Sequence, residues 1–74
     1  EQLPHYFEEI CSQWRFTFSQ VNQLKRLLTR WIVLLPGADV WETIGSSEST
    51  KTVLQRIESR LDEVSIRFTG RMYD

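Results

Sequence analysis

The 74-residue sequence holds one cysteine, Cys11, and one histidine, His5. A single thiol excludes a disulfide framework within the chain and suits a reducing compartment, so the expected location is intracellular, cytoplasmic or nuclear. A lone histidine leaves a metal site short of ligands. His5 and Glu9 are four apart and Cys11 lies six beyond His5, but zinc takes three or four protein ligands and these make half a site. No metal or other cofactor is expected.

Proline occurs only at Pro4 and Pro36, and glycine only at Gly37, Gly45 and Gly70. Nothing of the breaker type therefore interrupts the chain between Pro4 and Pro36. Long hydrophobic runs are missing too: the longest, Trp31 to Leu35, falls far short of the roughly 20 residues of a membrane span. Neither sign of charge dominates. The formal net charge is -1, which supplies no global attraction to nucleic acid or an acidic membrane and disfavours nucleic acid as the partner. The N-terminus carries no basic leader segment and no initiator Met, and the chain reads as a fragment of a longer protein.

What is present is amphipathic helix. Phe7, Ile10, Trp14, Thr17, Val21, Leu24, Leu28, Trp31 and Leu35 recur at alternating steps of three and four, a heptad seam with one polar lapse at Thr17. The spacing predicts a helix over about 4–35, roughly 48 Å long. Pro4 suits a first turn, Glu8 and Glu9 lie near its start, and Lys25, Arg26 and Arg30 gather toward its end, each with the sign that the helix dipole favours. Phe16-Thr17-Phe18 adds some strand propensity without displacing the helical period.

Pro36-Gly37 ends this helix. A structured connection over 36–48 follows, in which Asp39 caps and Gly45 closes a short helix over Val40 to Ile44, with Trp41 folding back as part of a lid. Ser46, Ser47 and Ser49 are alternative N-caps for a second helix over about 49–70. Its seam is Leu54, Ile57, Leu61, Val64 and Phe68. The expected fold class is all-α: a single domain, an antiparallel helical hairpin that completes a helix bundle by association. Phe18, Val21, Leu28 and Trp31-Ile32, followed after a loop by the Leu54 to Phe68 seam, resemble the first two helices of a spectrin-type repeat, a cytoskeletal scaffold with a third helix. That spacing is common to helical bundles and assigns no family.

Candidate chemistry is thin. Gly45-Ser46-Ser47-Glu48-Ser49-Thr50-Lys51-Thr52 has the length of a phosphate-binding loop, but Thr50 replaces its second glycine and no strand precedes it, so a serine-rich helix start is the better reading. Cys11 lacks a base on its own helix face, and Asp62-Glu63 diverge as consecutive helical residues. No catalytic constellation emerges and an enzyme is not expected. Arg56, Arg60, Arg67 and Arg71 line one side of the second helix, which offers an alternative: nucleic-acid or acidic-lipid binding through an arginine stripe, separable by charge reversal of Arg60 and Arg67 and salt-dependent binding.

Two helices of these lengths expose more apolar surface than they cover. The expected function is therefore a protein-protein interaction or assembly module, a homo-oligomer or the receiver of a helix from a larger protein. Its interface residues would be Phe7, Ile10, Trp14, Phe18, Leu27, Leu28, Trp31, Ile32 and Trp41, since large aromatic and aliphatic side chains dominate desolvated interface centres.

Overall fold

A computed structural model describes the backbone of residues 3–73 and the side chains of residues 3–65. Four helices and no strand are present among the described residues: α1 Phe7–Gln13, α2 Phe18–Leu34, α3 Val40–Ile44 and α4 Thr50–Tyr73. The protein is all-α.

The rod expected over 4–35 is two helices. Trp14 turns extended (φ -119°, ψ 147°) at the C-cap of α1, and Thr17 is the extended N-cap of α2. The polar lapse in the seam is thus a start signal. Thr17 Oγ1 accepts from the Gln20 backbone N–H at 3.2 Å, and Gln20 Oε1 accepts from the Thr17 N–H at 3.0 Å. This reciprocal capping box satisfies two backbone donors that a helix start leaves open. The local β preference of Phe16-Thr17-Phe18 agrees with it, because the break needs extended backbone there. Thr17→Ala is expected to lower stability by about 1 kcal/mol. Urea denaturation measures it, and an unchanged midpoint would count against the cap.

Leu35 to Ala38 forms a turn closed by Ala38 N–H to the Leu35 carbonyl at 3.1 Å. Pro36 takes the second position and Gly37, at φ +84°, the third, the arrangement of a type II turn. Asp39 caps α3 through the Trp41 N–H at 3.0 Å, and Gly45 at φ +60° ends it. A side chain at Gly45 would press on the Arg56 guanidinium, which donates to the Ile44 carbonyl at 2.6 Å. Of the three candidate serines, Ser49 caps α4 by accepting from the Thr52 N–H at 3.2 Å, whereas the Ser47 hydroxyl donates to the Ile44 carbonyl.

The relative direction of α2 and α4 differs from the antiparallel hairpin. Gln20 and Gln23 share a groove with Lys51, Leu54, Gln55 and Glu58, while farther along Arg30 donates to Ser65 Oγ at 3.2 Å. Residue numbers on the two helices rise together, so α4 runs in the same sense as α2. The segment between them is a return crossover rather than a tight turn. Trp31 Nε1 holds its beginning at the Ala38 carbonyl (3.4 Å), and Trp14 Nε1 holds its end at the Ser47 carbonyl (3.2 Å). α1 folds back beside α2, bringing Cys11 within electrostatic reach of Lys25 and Tyr6 within reach of Asp39.

One core results. Ile10 and Trp14 meet Leu24, Leu27, Leu28 and Trp31 of α2, Val40 and Ile44 of α3, and Val53, Leu54, Ile57 and Leu61 of α4. No polar or charged side chain is buried among the described residues. The core owes its cohesion to apolar burial, at roughly 25 cal/mol per Å².

Candidate functional site

The nine residues expected at an interface divide sharply. Ile10, Trp14, Leu27, Leu28 and Trp31 lie inside the chain's own core, with Trp31 only 1% exposed. Phe7 and Trp41 are half-buried against that core, and the Trp41 ring stacks on Trp14 with centroids 6.2 Å apart. Because α1 is a separate helix that folds back, the chain itself covers five of the residues expected at an interface. Two residues remain outside: Phe18 is 84% exposed and Ile32 39%.

Phe18 and Ile32 belong to one outward face of α2. At 100° per residue Phe18, Asn22, Lys25, Thr29, Ile32 and Val33 fall on one side of the helix, opposite Leu24, Leu27 and Trp31. Val33 is 73% exposed, and the heptad seam passes over it because it lies off that seam. The same periodicity shows where it points once the buried stripe is fixed. Lys25 and Arg26 occupy the middle of the stretch and are exposed. Among the described residues neither is ion-paired, the one such pair being Arg60 with Glu63. The Thr29 hydroxyl donates to the Lys25 carbonyl at 2.8 Å.

This face is also where the charge is one-sided. No Asp or Glu occurs between Glu9 and Asp39, whereas Arg15, Lys25, Arg26 and Arg30 all fall in that interval. Glu8 and Glu9 on α1, Glu42 on α3, and Glu58, Asp62 and Glu63 on α4, with the remaining acids of the sequence, bring the chain's sum to -1. A near-neutral total thus conceals a cationic helix.

The chain has no significant match among protein families, curated proteins or solved structures. Its site is therefore read from its geometry alone.

The arginine stripe is partly engaged elsewhere. Arg56 is spent on the Ile44 carbonyl, and Arg60 donates to Glu63 at 2.6 Å. Arg67 and Arg71 lie outside the residues whose side chains are described. The groove that Arg56 and Arg60 line with Thr43, Thr52, Ser59 and Glu63 is open and of mixed charge. The phosphate-loop spacing falls on the end of α3, the connecting bend and the start of α4.

Cys11 is half-buried and its thiol is pushed above the ordinary range, first by desolvation, then by the Glu8 carboxylate, with Lys25 opposing. A raised value keeps it a protonated, weakly nucleophilic thiol near neutrality. Burial, with Asp39 adding to it, raises the Tyr6 phenol in the same way. No cluster of three metal-ligating side chains occurs among the described residues, and none of the described helices is long and apolar enough to cross a membrane.

Proposed function

We propose that the chain is a non-enzymatic protein-docking module whose contact surface is the outward face of α2. The observation that carries this reading is Phe18 at 84% and Val33 at 73% exposure on a helix whose other large apolar residues are buried or half-buried, save Ile32 at 39%. Scattered exposed hydrophobics are ordinary on a protein surface. Here they stand about four helical turns apart, with exposed Lys25 between them on the same side of the helix and Arg26, about 100° round from Lys25, at its edge toward α4. A partner helix laid along α2 would cover Phe18, Ile32 and Val33 together and complete a bundle, the helix-in-groove mode of recognition.

The test is selection from a displayed library of helical peptides, with wild-type chain as bait and the double variant Phe18→Ser, Val33→Ser as counter-bait. Both positions face water, so the variant is expected to keep wild-type helicity by circular dichroism, its stability changed by no more than about 0.5 kcal/mol per site. Peptides that bind wild type at least about tenfold more tightly than the variant are expected, since lost apolar anchors cost on that order. Failure to enrich any peptide that discriminates between the two baits would overturn the docking role of this face.

A further inference from the structure

We infer that the occupant of the outward α2 face is an acid-centred amphipathic helix of a different protein, and not a second copy of this chain; this rests on the docking role proposed for that face. A pair of identical chains most often associates about a two-fold axis, which places one patch against itself. Phe18 and Val33 bound the apolar stretch, and its midpoint falls between Lys25 and Arg26. If two α2 helices met antiparallel across this face, Phe18 would come level with Val33 of the other copy, and Lys25 level with Arg26 and beside the other copy's Lys25. If they met parallel, each residue would face its own counterpart, Lys25 on Lys25. Both two-fold arrangements put cation against cation at the centre, where desolvation makes like charges most costly. The apolar ends attract a copy and the middle rejects it.

The same pattern specifies what fits. A complementary helix needs apolar side chains about 22 Å apart, the length of fifteen residues at 1.5 Å each, with carboxylates between them to meet Lys25 and Arg26. Arg30 is held toward α4 by Ser65, which leaves Lys25 and Arg26 as the two central cations. Among the described residues neither forms an ion pair with the chain's own acids: Glu8 lies on α1, and Glu58 of α4 shares a groove with Arg26 and Arg30 without bridging to either. An anionic bilayer matches the charge but not the layout. A helix lying in a bilayer surface has a continuous apolar face with cations along its flanks, whereas here Lys25 interrupts the apolar face and Leu24, Leu27 and Trp31 are turned into the core.

The experiment reads the sequences enriched by the displayed helical library, with wild-type chain and the charge-reversed variant Lys25→Glu, Arg26→Glu as parallel baits. Expected with wild type is enrichment of Asp or Glu at positions between two apolar anchors about four turns apart, and with the reversed bait a shift of those positions to Lys or Arg. The best acidic peptide should lose about tenfold or more in affinity for the reversed bait, and its binding should weaken with salt. Enrichment of peptides that need Phe18 and Val33 but carry no central acids would overturn this inference while leaving the docking face standing. Two further results would overturn it outright. One is concentration-dependent dimerisation of the wild-type chain in sedimentation that Phe18→Ser, Val33→Ser abolishes. The other is co-sedimentation with phosphatidylserine-containing vesicles, but not phosphatidylcholine vesicles, that Lys25→Glu, Arg26→Glu abolishes.

Discussion

Trp31→Ala is expected to unfold the isolated chain. The indole is 1% exposed and donates through Nε1 to the Ala38 carbonyl at 3.4 Å, so its loss removes both the largest fully buried side chain among the described residues and the tie that starts the crossover. Truncating a buried tryptophan costs about 3–5 kcal/mol. A single core of this size supplies about the same total. Far-UV circular dichroism should therefore show most of the helical signal gone at 25 °C, with no dependence on protein concentration. A variant that kept wild-type helicity and a urea midpoint near wild type would show that the ring is not the centre of the core. The sequence places Trp31 among the residues of an interface between chains; its burial in the chain's own core makes the substitution a change internal to one chain.

Ile10→Asp should have a different outcome of similar size. Ile10 is fully buried and is, with Phe7 and Trp14, what holds α1 against the rest. A carboxylate there loses the isoleucine contacts and must also be desolvated without a partner, together several kcal/mol. The loss is concentrated on a helix attached only through the extended stretch at 14–17, so α1 is expected to detach before α2 and α4 separate. Detachment uncovers the α2 surface that α1 had covered and reddens Trp14 fluorescence. Hydrogen exchange should show protection lost in Phe7–Gln13 and retained at Leu24 and Ile57. Light scattering should show mass rising with concentration. Retained α1 protection in a strictly monomeric variant would refute this division of the fold.

The helical class was legible because every strong apolar spacing in the chain is three or four. The seam also placed Ile10, Trp14, Leu24, Leu28 and Trp31 on one stripe, and all five are in the core. The break within that seam was written in Thr17 and Gln20, three apart, a capping signal that an uninterrupted heptad masks because α1 and α2 each turn the same stripe inward. The direction of α4 was not legible: the spacing within a helix is the same whichever way it runs, and only the length and anchoring of the connection decide it. Trp31 to Ala38 and Trp14 to Ser47 are those anchors, and hydrogen bonds between side chain and distant carbonyl leave no periodic trace. As for the site, Phe18 and Ile32 stood among the expected interface residues, whereas Val33 did not, because attention to a seam selects the inward side. The absence of acids from Glu9 to Asp39 was visible throughout, but a net charge averages it away.

The parallel course of α2 and α4 bears on how the chain reaches this state. In an up-and-down hairpin, pairing starts beside the turn between close neighbours in sequence and zips outward. Here the hydrogen bonds between α2 or its N-terminal flank and the second half link residues 33 and 35 apart, Trp14 to Ser47 and Arg30 to Ser65, while the short-range packing joins only α1 to α2 and α3 to α4. Closing such loops costs entropy before any contact repays it. On the ribosome, the side of α2 that packs on α4 accordingly stays in solvent until the α4 segment has emerged, which makes the nascent first half the stage at which a chaperone would find most to hold.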